Sequence, residues 1–217
     1  YAVACVWSYA QTHIDIKEKY ELKEIFFETI DPDDIVASLD NPKVFAFGCY
    51  IVNANYNDIL VQKVKEKYPK CLIIYGGPHI PVTANDKWWS EHPYVDVVVH
   101  YEGEKKFTKV LQSKTKEEMS MIPNVSVNFD GDWTFNLDTK SVGKDRISDI
   151  SIIPSPSVSK FSFDDGGALV HKYPEPASIT INDKSVARSA VCAIAIVCDV
   201  AVATNDNTTV CCVAPSN

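Results

Sequence analysis

An α/β fold on a parallel sheet of flavodoxin-like (Rossmann-like) type is predicted by three features. Strand-like and helix-like patterns alternate through residues 1–114. The segments KVFAFGCYIV (43–52), CLIIYGG (71–77) and YVDVVV (94–99) are apolar nearly end to end, as strands buried on both faces are. The intervening segments carry apolar residues at helical spacing, which puts a crossover helix between successive strands.

Each element has a local reason. Residues 2–20 read as one helix, with Val3, Val6, Trp7 and Ala10 on a single face. ELKEIFFETI (21–30) reads as the first strand. DPDDIVASLD (31–40) is a short helix: Asp31 suits the N-cap, Pro32 the first turn, and the acids favour the positive end of the dipole. NYNDILVQKVKEKYP (55–69) is amphipathic, with Ile59, Leu60, Val64 and Tyr68 inward and Pro69 as the stop. KWWSEHP (87–93) is a short helix, and YVDVVVHYEG (94–103) the fourth strand. EKKFTKVLQ (104–112) is a helix carrying Phe107, Val110 and Leu111. Residues 115–165 hold a hairpin and a linker. NVSVNFDGDWTFNL alternates on both sides of Asp130-Gly131, a favoured two-residue turn, and DRISDISIIPSPS is an extended connector. Residues 166–217 are atypical: one aromatic, Tyr173, and four of the seven cysteines. Such a segment is poorly equipped to build a core, and an irregular tail is expected.

Composition bounds the function. The 217 residues carry a net charge of -8, so no basic surface for nucleic acid follows from the total. The apolar run SAVCAIAIVC (189–198), bracketed by Arg188 and Asp199, is too short for a membrane helix. No signal peptide is visible and the first residue is Tyr1, so a fragment of a longer protein is expected. Seven irregularly spaced cysteines fit free thiols in a reducing, cytoplasmic setting better than a disulfide framework.

In a parallel α/β sheet the ligand sits beyond the C-terminal strand ends. GGPHIP (76–81) leaves the third strand at that edge. Its glycines allow close backbone approach or positive φ, and Pro78 stiffens the loop; an ordinary βα turn is the equal alternative. His79 could hydrogen-bond a ligand or coordinate a metal, but no second ligand lies at metal spacing, and solvation is the commoner fate of a loop histidine. His100 ends the fourth strand and could face the same edge. Glu102 and Glu104 of EGE suit either a ligand's polar rim or a helix start. Asn53, Asn55 and Asn57 offer donors and acceptors to an amide-fringed ligand, or an N-cap. Walker A, GxGxxG, GxSxG, HExxH and CxxC motifs are absent, and the Cys211-Cys212 pair is a poor metal site on its own.

Taken in order, the Cys-Tyr-x-x-Asn loop (49–53), the GGPH loop, the YVDVVV strand, the EGE turn, the hairpin and the connector resemble the N-terminal cobalamin (B12)-binding domain of B12-binding radical SAM proteins, over residues 1–164. The resemblance implies a flavodoxin-like domain holding cobalamin across the strand edge. A radical SAM domain would follow in cis, bearing a [4Fe-4S] iron-sulfur cluster on CxxxCxxC and using S-adenosyl-L-methionine for radical methylation or rearrangement. The residues it implies at the corrin are Cys49, Tyr50, Asn53, Gly76, Gly77, Pro78, His79, Glu102, Gly103 and Glu104, with the glycines clearing space for the flat ring.

Three departures shape the expectation. No Asp-x-His-x-x-Gly occurs, so no protein imidazole on cobalt is expected. The family's first strand would lie before Tyr1, leaving a gap between the strands at 21–28 and 44–50 that something else must fill if the domain is to be stable. The cluster motif is missing: Cys192 and Cys198 stand six apart with no cysteine between, so this chain alone is expected to be inactive. The last fifty or so residues are expected to be other than the natural continuation, as a shifted frame or misjoined segment would give. A non-catalytic cobalamin carrier or sensor, and an unrelated flavodoxin-like enzyme binding nucleotide or flavin, are the alternatives.

Overall fold

The computed structural model describes residues 2–26, 29–144, 146–153, 161–163, 169–171 and 193–198. Its centre is a seven-stranded sheet. In spatial order the strands are β1 (Tyr20–Phe26), β9 (Ala193–Cys198), β2 (Val44–Gly48), β3 (Leu72–Gly76), β4 (Val97–Val99), β5 (Val125–Phe129) and β6 (Asp132–Asn136). β2, β3 and β4 pair in parallel, whereas β5 and β6 add on antiparallel. β7 (Phe161–Phe163) and β8 (Leu169–His171) form a separate antiparallel pair. No helix among the described residues is long and apolar enough to cross a membrane.

The α/β architecture follows from strands that bury both faces. Phe45, Phe47, Ile73 and Tyr75 point to one side, Val44, Ala46 and Ile74 to the other, as the two-residue strand period requires. The first side is covered by α3 (Pro32–Ser38), α4 (Ala54–Lys67) and α5 (Trp88–Glu91). The second is covered by α1 (Ala2–Ala10), α2 (Ile14–Lys19), α6 (Glu104–Gln112) and α7 (Lys116–Ser120). α3 starts as its sequence suggests: Asp31 accepts from the Asp33 amide at 2.8 Å, with Pro32 in the first turn.

Local structure departs from expectation in three places. The single helix over 2–20 is broken. Thr12 Oγ1 donates to the Tyr9 carbonyl at 2.7 Å, and His13 turns extended to start α2, a side-chain bond competing with the helix ladder. α7 was not anticipated. Thr115 accepts from the Glu118 amide, and the Glu118 carboxylate reaches back to the Lys114 amide, a variant of the capping box that TKEE (115–118) spells out. The third departure is β9, drawn from the tail expected to be irregular. It lies antiparallel to both β1 and β2 and fills the gap between them. The Cys211-Cys212 pair and most of residues 166–217 lie outside the described residues.

The hairpin forms as its turn chemistry demands. Asp130 and Gly131 adopt φ of 54° and 104°, and the Gly131 amide donates to Asn128 Oδ1 at 2.7 Å. It extends the main sheet through β4–β5 pairing.

Asp96, just before β4, ties the two faces together. Its carboxylate accepts from Lys65 of α4 at 2.6 Å, from Lys116 of α7 at 3.1 Å and from the Ile73 amide at 2.8 Å. The side chain is only 15% exposed. Removing it takes the carboxylate from Lys65 and leaves Lys116 with the Asn128 carbonyl at 2.8 Å, so Asp96→Ala is expected to cost about 3 kcal/mol in urea unfolding. A loss under about 0.5 kcal/mol would class the cluster with surface ion pairs.

Candidate cofactor-binding site

Because β2, β3 and β4 run parallel, their C-terminal ends form one rung, Gly48–Gly76–Val99. Three loops leave from that rung, and a cleft of about 640 Å³ opens between them. That volume lies within the range of small-molecule and cofactor sites, and its position is the binding edge of open α/β sheets.

The loop after β2 is laced by asparagines. Asn53 stands at the N-cap of α4, but its side chain makes no cap bond. Instead Oδ1 accepts from the Tyr50 amide at 2.8 Å and Nδ2 donates to the Gly48 carbonyl at 2.9 Å. Asn57, fully buried, approaches the same carbonyl at 3.4 Å. These amides hold the loop's shape from behind, and Tyr50 reaches the cleft wall.

The loop after β3 is zipped to this one. The Cys49 amide donates to the Gly76 carbonyl at 2.6 Å, and the His79 amide to the Cys49 carbonyl at 3.3 Å. Gly77, at φ 121°, crosses directly over Cys49. A Cβ there would lie 2.4 Å from the Cys49 carbonyl oxygen. The missing side chain of Gly77 is therefore used against the neighbouring loop. That corrects the expectation that both glycines clear space for a ligand. At Gly76 a Cβ would meet only the Val99 carbonyl oxygen, at 3.5 Å.

The loop after β4 sets His100, Tyr101 and Glu102 into the cleft. Tyr101 takes a left-handed φ of 61°, strained for a bulky residue. Glu102 Oε2 exposes less than 1 Å² and has no hydrogen-bond partner among the described residues. Gly103 admits α1: a Cβ would come within 3.3 Å of Val6 Cγ2. His100 is buried, with Nε2 2.9 Å from Ser126 Oγ. Burial, aided by the Lys106 ammonium, lowers its pKa to about 4.

His100 makes stability depend on pH. The unfolded chain takes up a proton there near the ordinary value of 6.5, whereas the folded chain holds off until about 4. Its contribution is thus complete above pH 6.5 and is lost as pH falls towards 4, amounting to about 2 kcal/mol by pH 5. His92 acts with opposite sign. Burial lowers its pKa, but the Asp58 carboxylate and the Trp88 carbonyl outweigh that and raise it. Its contribution is therefore present below pH 6.5 and lost as pH rises through the folded value. Urea unfolding of His100→Gln at pH 7.5 and pH 5 is expected to show a shallower acid loss than the parent chain. Equal losses would contradict a buried neutral His100.

Of the ten residues expected at a corrin, seven line the cleft: Tyr50, Gly76, Gly77, Pro78, Glu102, Gly103 and Glu104. Cys49 and Asn53 stand buried behind it, and His79 is exposed and held through its backbone. Sequence reasoning missed the far walls: Val3 and Val6 of α1, and Arg146, Ile147 and Ile153 of the connector. The helical stripe of residues 2–10 hinted at a buried face without saying what it faced, and nothing local marks the connector as folding back. Among the described residues, no three histidine, cysteine or acidic side chains converge as metal ligands.

No family model matches the chain. Over 122 residues, 55% of its length, it is 33% identical to a 2-(S-pantetheinyl)-carbapenam-3-carboxylate methyltransferase of Streptantibioticus cattleyicolor. It is 32% identical over 122 residues to the cobalamin-dependent radical SAM methyltransferase TokK of Streptomyces tokunonensis. The match spans 18% of the length of each of these relatives.

Proposed function

We propose that this chain is the cobalamin-binding portion of a radical SAM protein, with the corrin seated over the Gly48–Gly76–Val99 rung. Its similarity to a cobalamin-dependent radical SAM methyltransferase motivates the ligand. The observation that carries the site is the cleft itself, open at the C-terminal strand edge and formed by the loops after β2, β3 and β4. The residues present fit such a group. Gly76 brings bare backbone to the cleft wall, Tyr50 and Val82 offer apolar surface at its mouth, and Glu102 holds a buried acceptor without a partner among the described residues.

The cleft is too small to enclose a corrinoid, so it would take one edge or face of the ring. Bound cobalamin would supply the cobalt centre. The chain's own residues would bind and orient it: the zipped Cys49–His79 backbone fixes the floor, and the 100–104 turn presents polar groups to the rim. His79 is exposed at the loop and His100 is engaged by Ser126, so no imidazole is assigned to cobalt. The [4Fe-4S] cluster, S-adenosylmethionine and the methyl transfer or rearrangement belong, in this proposal, to a radical SAM domain in cis.

Titration of the purified chain with hydroxocobalamin, followed by tryptophan quenching and the visible spectrum, tests the proposal. Saturable binding with a spectrum lacking a nitrogen ligand on the lower face is expected. Failure of a chain shown by circular dichroism to be folded, together with saturable binding of flavin mononucleotide, would replace cobalamin by a flavin.

A further inference from the structure

Three buried side-chain polar atoms among the described residues lack hydrogen-bond partners: Gln11 Nε2, Asn57 Oδ1 and Glu102 Oε2. Of the three residues, Glu102 alone lines the cleft. A buried carboxylate oxygen without a donor is costly, more so than a neutral one. The described residues supply no cation to it. Lys106 Nζ donates to the Glu102 backbone carbonyl at 2.7 Å, and exposed Arg146, which also lines the cleft, forms no ion pair with the carboxylate.

The backbone that places Glu102 is itself held under strain. Tyr101, at φ 61°, is fixed on both sides: the His100 amide donates to the Asn124 carbonyl at 3.0 Å, and the Glu102 carbonyl accepts from Lys106. Strain of this kind persists only where neighbours over-determine it. A glycine would take the same φ without that cost.

We infer that the 100–102 turn is a recognition device for a neutral N–H donor, a primary amide on the ligand's rim, with Glu102 as acceptor and Tyr101 as the positioning residue. The inference rests on the cobalamin reading, since the corrin periphery is fringed with primary amides. A carboxylate only accepts, so it selects a donor and rejects another carboxylate. Rotation about the last side-chain bond of Glu102 brings either oxygen to an entering amide. His100 beneath carries no positive charge at neutral pH and does not compete as a cationic partner.

The test uses hydroxocobalamin and its b, d and e monocarboxylic acids, in each of which one peripheral amide is a carboxylate. Against the parent chain, one isomer is expected to bind about ten-fold or more weakly than hydroxocobalamin, the scale of a lost charge-assisted hydrogen bond. In Glu102→Gln, whose amide can donate, that discrimination should fall below about three-fold. In Tyr101→Gly the melting temperature should hold or rise while the discrimination shrinks, which a purely structural role would not produce. Equal binding of all isomers by the parent chain overturns the inference and leaves the cobalamin reading standing. Undiminished discrimination in Tyr101→Gly overturns the positioning role. A folded chain that ignores hydroxocobalamin overturns both readings.

Discussion

Replacing Gly77 by alanine is expected to destabilise the chain by about 4 kcal/mol and to abolish ligand binding, the largest effect of any single methyl in the molecule. Two costs combine. The residue sits at φ 121°, where L side chains are strained, and the new Cβ would fall 2.4 Å from the Cys49 carbonyl oxygen and 2.9 Å from its amide nitrogen. Both contacts are backbone, so no side chain can swing away. Two other glycines separate the terms. Gly131, at φ 104°, has open space around it, so alanine there should cost only the strain, about 1 kcal/mol. Gly76 has neither the positive φ nor a close contact, and alanine should be tolerated. Urea unfolding should rank the three as Gly77, Gly131, Gly76. A Gly77→Ala chain as stable as Gly76→Ala would mean that the two loops do not cross as described.

The second large effect concerns β9. Ala195 pairs with Glu24 of β1 on one side and Phe45 of β2 on the other. Proline there removes a backbone donor and forces its ring into a strand flanked on both edges, and is expected to cost 3 kcal/mol or more, about half the stability of a modest domain. A chain cut after residue 190 should lose β1 from the sheet and unfold less cooperatively, because among the described strands β1 pairs with β9 alone. If both variants unfold like the parent, the gap between β1 and β2 is not filled by this segment.

The sheet was legible because its strands are long apolar runs punctuated by Gly, Pro and Asn, a pattern that both-face burial imposes. The hairpin was legible from Asp130-Gly131 and the alternation on either side of it. The break at Thr12–His13 was not, since a threonine hydroxyl competing for one carbonyl leaves the helical apolar period intact. β9 was the hardest case. A six-residue apolar stretch in a tail with one aromatic carries no mark of its partners, and its place is set by a vacancy between two strands that lie far earlier in the chain. At the site, the loops were legible from the strand-edge rule, but the use of each residue was not. Gly77 serves the Cys49 backbone, Asn53 serves its own loop, and the strain at Tyr101 has no signature in the letters His-Tyr-Glu.

Hydrogen–deuterium exchange of the chain with and without hydroxocobalamin tests the central claim most directly, because it reads binding and its location together. Slowed exchange is expected in three segments, residues 48–53, 76–80 and 100–104, with the α3 and β1 regions unchanged. Protection absent from all three, or confined to another part of the sheet, would contradict a corrin seated over the Gly48–Gly76–Val99 rung.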